Sequence, residues 1–392
     1  MRYNFDEIID RTHTDSIKWD GLTERWGRND LLPMWVADMD FRTPPFIIES
    51  IQKQLNAGVL GYTMKPATWG DSIIKWLSKR HHWDVGSEEL TFVPGIVRGL
   101  AFALQCFTQK DDKVLVMPPV YHPFFIVSQK LEREVIFSPL EIHDGQYQIN
   151  FDRFRNDVKG CKVLILCNPH NPGGRVWTKE ELRQIATICK ENGVLVFSDE
   201  IHADLTLTPY QHHPFASVSS DASSNSIVFM APSKAFNMPG LASSYTIIQN
   251  HDILRKFQDF MEAGEFSESH IFAYKSLIAA YTHGEEWLSE ALDYIKGNID
   301  FTQEYLQNHI PEIKMIRPQA SFLIFLDCRE LKLPQKELVH LFIDKAHLAL
   351  NDGVMFGQGG EGFMRFNIAC PRTLLDQALT QLKEAIQHYR QK

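Results

Sequence analysis

Between residues 90 and 250, short apolar runs alternate with amphipathic stretches. Leu90-Thr-Phe-Val93 predicts a short strand, and Pro94-Gly95 then opens an apolar helix from Ile96 to Phe107. Lys113-Val-Leu-Val-Met117 predicts the next strand, ending at Pro118-Pro119. Lys162 to Cys167 predicts another, followed by the turn-forming run Asn168 to Gly174. Thr178 with Glu181 three residues later is a capping-box signature, so a helix should start there and run to Asn192-Gly193. Val194-Leu-Val-Phe197 predicts a strand ending at Asp199, and Ile227-Val-Phe-Met230 one ending just before Lys234. Strands that are apolar on both faces must be covered on both faces. The fold class is therefore α/β, with a large domain built on a mostly parallel sheet flanked by helices.

The rest of the chain has a different texture. Residues 285–309 carry Trp287, Leu288, Ala291, Leu292, Ile295 and Ile299 at helical spacing, which predicts a long helix. Strand-like Ser321 to Leu326, a helix over 335–349, strand-like Phe363 to Ile368 and a final helix after Pro371 follow. This pattern suggests a smaller α+β domain that the N-terminal segment joins. The expected division is 46–285 for the large domain, and 1–45 with 286–392 for the small one.

Composition narrows the function. The 392 residues are 44% hydrophobic and 23% charged, with a formal net charge of -9. No basic run is present to neutralise phosphates, which argues against nucleic-acid binding. No apolar run approaches a membrane span, and MRYNFDEIID lacks the basic-then-apolar order of a secretory leader, so the expectation is a cytoplasmic protein. The six cysteines form no C-x-x-C pair and several sit in apolar runs, which favours reduced, buried thiols over disulfides or zinc. His81-His82 and His212-His213 lack helical metal-ligand spacing and read as loop residues, so no metal site is expected.

In an open parallel sheet, ligands bind outside the carboxyl ends of the strands. Here those ends precede Gly95, Tyr121 and Asn171, coincide with Asp199, and precede Lys234. Each residue has an ordinary explanation: a turn glycine, a packed tyrosine, a turn asparagine, a helix cap, a solvated lysine. Their joint occurrence at successive strand ends of one sheet is hard to assign to coincidence.

With these residues in view, the chain resembles the fold-type I pyridoxal-phosphate enzymes, the aspartate-aminotransferase superfamily. More narrowly it resembles the MalY/PatB class of carbon–sulfur lyases, the cystathionine β-lyases. The resemblance runs through Lys18-Trp-Asp-Gly21, Leu32 to Phe41, Gly61-Tyr-Thr63, Pro118 to Phe124, Asn168 to Gly173, Ser198 to Asp204, Ser233 to Asn237 and Arg365-Phe-Asn367, and so covers essentially the whole chain.

That resemblance implies pyridoxal 5'-phosphate as cofactor. Lys234 would hold it as a Schiff base and then act as the base at the substrate Cα. Asp199 would pair with the pyridine nitrogen. Asn171 and His202 would approach the ring hydroxyl oxygen, and Tyr121 would stack on the ring and assist proton transfer. The phosphate would sit on the backbone of Gly95, Ile96 and Val97 at a helix N-terminus, with Ser233 and Tyr62 as side-chain donors. Tyr62 would come from the partner subunit of a homodimer. Ala37 and Arg365 would bind the substrate, Arg365 through the carboxylate. Many aminotransferases place a phosphate-binding arginine eight residues after the lysine, and here that position is Ala242. The implied reaction is β-elimination from cystathionine or another cysteine S-conjugate. Transamination on the same scaffold remains open, because both reactions begin with the same Cα deprotonation. A regulatory binding protein with an aminotransferase-like body is disfavoured, since residues 1–45 are too short and too acidic to form a DNA-binding module.

Overall fold

A computed structural model describes residues 2–391. Its main sheet has seven strands: β1 Leu90–Val93, β2 Lys113–Val116, β3 Glu134–Phe137, β4 Cys161–Cys167, β5 Leu195–Asp199, β6 Ser226–Met230 and β7 Ser244–Ile247. Their order is β1-β7-β6-β5-β4-β2-β3. All neighbouring pairs are parallel except those of β7, which runs antiparallel to both β1 and β6. β4 and β6 are buried almost throughout, as strands covered on both faces must be.

The helices follow from local signals. Thr178 and Glu181 form both halves of the capping box that opens Lys179–Glu191. Helix Ile96–Phe107 lies close on the sheet because position 99 is glycine. A Cβ there would come within 3.1 Å of the Val93 and Phe229 side chains.

A second, antiparallel sheet is formed by Lys314–Ile316, Leu323–Asp327, Phe363–Asn367 and Asn351–Asp352, in that order. Helix Glu285–His309 spans the predicted range and buries Trp287, Leu288, Ala291, Ile295 and Ile299. Each large apolar side chain on that stripe contributes roughly 1.5–3 kcal/mol on burial. The helix predicted over 335–349 is shorter than its pattern suggests. Gln335–His340 passes into a wider turn at Leu341–Lys345, and His347 then takes a left-handed φ of 54°, which ends the helix. Leu348–Ala349 instead pairs in parallel with Leu32–Pro33, tying the N-terminal segment to this part of the fold.

Among the described residues no helix is long and apolar enough to cross a membrane.

Candidate active site

The carboxyl ends of β1, β4, β5 and β6 open onto a cavity of about 310 Å³. Gly95, Ile96, Val97, Tyr121, Asn171, Asp199, His202, Ser233, Lys234 and Ala37 all line it. Gly95 has a φ of 108°, a conformation that side chains rarely allow, and it carries the chain from β1 straight into the helix. That helix start has no side-chain cap, so its first N–H groups face the cavity unpartnered, as an anion site requires.

Lys234 follows β6 by four residues, and its Nζ donates to the main-chain oxygen of Ala37 at 2.6 Å. Burial lowers its pKa to about 8, against the upward pull of Asp38. Asp199 shows the opposite effect: burial raises its carboxyl to about 7, although the Ile201 N–H at 3.0 Å and the Lys234 charge both pull it down. Asp199 thus closes a local turn onto Ile201 instead of the helix cap expected of an ordinary aspartate, since His202 precedes the helical turn, and a second oxygen remains for a ligand. Burial, reinforced by Lys234 and Arg365, lowers His202 to about 3, so this imidazole is neutral at physiological pH. Burial raises the Tyr121 phenol, which stays protonated.

Arg365 does not line this cavity directly but reaches it through Asn171. Its Nη1 donates to Asn171 Oδ1 at 3.2 Å, while Nη2 donates to Asn351 Oδ1 at 2.9 Å and to the Trp35 oxygen at 3.1 Å. Its Nε is buried without a partner. Tyr62 lies elsewhere. It is fully exposed in the run Val59 to Met64, beside a groove of about 930 Å³.

Several lining residues were not anticipated: Arg98, Cys167, Ser243 and Ser244. Arg98 had a readable signal, since a cation in the first turn of a helix opposes the helix dipole unless an anion sits there. Ser244 opens β7, a strand the apolar pattern did not reveal.

Two histidines read as loop residues belong to a buried network behind this wall. His81 ends a helix and lies 2.9 Å from Asp204 Oδ1, which Trp76 also reaches. His212 lies 2.7 Å from Glu200 Oε2, and the two imidazoles meet edge to face at 5.4 Å. The carboxylate partners, which lie elsewhere in the chain, account for the burial. Among the described residues there is no group of side chains suited to a metal ion.

The donor set fits a phosphorylated pyridine aldehyde. It offers an uncapped helix start for the phosphate, a buried carboxylate without an ion-pair partner among the described residues for a ring N–H, an amide for a ring oxygen and an amine for the carbonyl carbon.

Comparisons with known proteins agree. The family described as aminotransferase class I and II matches residues 30–382. Cystathionine beta-lyase PatB of Bacillus subtilis (strain 168) is 41% identical over 385 residues, 98% of this chain and 100% of that protein. The crystal structure of cystalysin from Treponema denticola, which contains a pyridoxal 5'-phosphate cofactor, superposes with a TM-score of 0.96 at 34% identity, covering 99% of this chain and 100% of that one. The PLP-bound C-S lyase from Staphylococcus hominis superposes at 0.91 with 35% identity, over 98% of each chain.

Proposed function

Because the chain belongs to the aminotransferase class I and II family, we propose that it is a pyridoxal-phosphate-dependent carbon–sulfur β-lyase, splitting cystathionine or related cysteine S-conjugates into pyruvate, ammonia and a thiol. The observation that carries this reading is one cavity holding both a lysine lowered to about 8 and a carboxylate raised to about 7. The lyase names of the relatives, and Ala242 at the cavity edge where many aminotransferases have an arginine, support elimination over transamination.

When bound, the cofactor supplies a carbonyl carbon that captures amines and a protonated ring that withdraws electrons. The protein's part follows from its own groups. Lys234 would hold the cofactor and, once its amine is free, would take the Cα proton; a pKa of about 8 leaves a useful neutral fraction at physiological pH. Asp199 would hold the proton of the ring nitrogen, its charge restored beside that cation. Asn171 and neutral His202 meet the ring oxygen. The N–H groups of Ile96 and Val97, with Ser233, hold the phosphate. Arg365 takes the substrate carboxylate through its free Nε. Tyr121, on the cavity wall, would stack on the ring, and its phenol would pass a proton to the departing sulfur. Turnover of cystathionine without any keto acid tests the reading; strict dependence on a keto acid would favour transamination.

We assign residues 46–285 to the cofactor-holding domain and 1–45 with 286–392 to the smaller one, in line with the two sheets. The exposed run Val59, Leu60, Tyr62 and Met64 is an apolar surface that a second copy of the chain would cover. In that homodimer Tyr62 enters the partner's phosphate site. The six cysteines are free and five are buried, which suits a cytoplasmic protein.

A further inference from the structure

Trp35 joins two arginines. Arg365 donates to its main-chain oxygen at 3.1 Å, and the Arg25 guanidinium lies 4.8 Å from the centre of its ring. Trp26 completes the platform: it meets Trp35 edge-on at 5.0 Å and lies 5.1 Å from the Arg25 guanidinium. Arg25 is exposed and, among the described residues, its guanidinium has no hydrogen-bonding or ion-pair partner. Its charge nevertheless acts on Arg365 and on His122, the neighbour of Tyr121. Arg365 Nε and His122 Nδ1 are both buried without a partner, so polar groups await a ligand on this side of the site.

Arg25 and Trp35 also line a groove of about 540 Å³ together with Asp15, Asp20 and Glu24. Asp20 is already committed, accepting from the N–H groups of His13, Thr14 and Ser16. Asp15 and Glu24 have no cation partner among the described residues. A free guanidinium beside free carboxylates, on a groove that shares Trp35 with the Arg365 site, is complementary to a zwitterion.

Resting on the lyase reading, we propose that this groove is a distal subsite. Arg25 binds a carboxylate at the far end of the sulfur substituent, and Glu24 with Asp15 receives the ammonium beside it. The preferred substrates are then cysteine S-conjugates whose leaving thiol is itself an amino acid, ahead of S-alkyl conjugates.

The test compares the native holoenzyme with Arg25→Gln, Arg25→Lys and Glu24→Gln on three substrates: cystathionine, S-(2-carboxyethyl)cysteine and S-ethylcysteine. Arg25→Gln should raise KM for the first two, relative to S-ethylcysteine, by about 1.5- to 5-fold, the range for a solvent-exposed charge contact. Arg25→Lys should recover part of that ratio. Glu24→Gln should raise KM for cystathionine relative to S-(2-carboxyethyl)cysteine. Unchanged ratios in the Arg25→Gln protein would overturn the subsite while leaving the lyase reading intact. If the native enzyme released thiol from none of the three, the lyase reading would fall and the subsite with it.

Discussion

The amine of Lys234 donates to the main-chain oxygen of Ala37 at 2.6 Å, so the lysine of the site is moored to the N-terminal segment. That segment is itself held from several sides. The Asn237 side chain accepts from Met39 N–H at 2.9 Å and donates to the oxygens of Met39 and Phe41. Asn367 Nδ2 donates to the oxygens of Val36 and Asp38, and fully buried Lys18 pairs with Asp40 at 2.6 Å. Asn237→Ala leaves three backbone groups to find new partners, and should cost roughly 1–3 kcal/mol of stability. Urea unfolding measures this; a midpoint equal to that of the native chain would show that the segment is held without Asn237.

Asp199 gives the cofactor-free protein a defined pH response. Its folded pKa of about 7 lies above the ordinary 3.8, so between those values the folded state binds more protons than the unfolded one. Its contribution is therefore most favourable at low pH and is lost as pH rises towards about 7. Asp199→Asn removes this dependence. In cofactor-free protein the variant should gain stability relative to the native chain as pH rises through that window. Thermal unfolding across the window checks it; a constant difference would mean that the carboxyl is not strained by burial. Bound pyridoxal phosphate should flatten the trend in the native chain, because a ring cation keeps Asp199 ionised.

Arg365→Ala should lower kcat/KM by the equivalent of roughly 2–5 kcal/mol, as for a buried charge pair, while the absorbance of the bound cofactor persists. An unchanged kcat/KM would place the substrate carboxylate elsewhere.

Shared sites can be tested by mixing. Under the proposed arrangement Lys234→Ala would lack the base and Tyr62→Phe a phosphate donor, yet a mixed dimer would contain one site with neither change. Activity above that of either variant alone is expected after mixing and re-equilibration. A fully active monomer at assay concentration would contradict the arrangement.

Much of this was legible in the sequence where the signal is local. The apolar runs locate six elements of the large sheet and its surroundings, and Thr178 with Glu181 marks a helix start correctly because a capping box needs only four residues. The strand-end residues Gly95, Asn171, Asp199 and Lys234 meet at one cavity because parallel topology brings carboxyl ends together. Signals that depend on distant partners were not legible. β7 has the unremarkable sequence Ser-Tyr-Thr-Ile and becomes a strand by bridging β1 and β6. Lys18 is buried because Asp40 receives it, and His81 because Asp204 does. Leu348–Ala349 leaves its helical pattern to pair with Leu32–Pro33, more than 300 residues earlier.

The central claim is that the Lys234 amine drives elimination at a Cβ–S bond. A thiolate is a good leaving group because thiols ionise at about 8.5, far below alcohols or amines. The direct measurement is the stoichiometry of products from cystathionine with the holoenzyme and no keto acid. Pyruvate, ammonia and free thiol should appear in equal amounts, and Lys234→Ala should abolish all three together. Pyruvate formed only with an added keto acid, without release of thiol, would contradict the account.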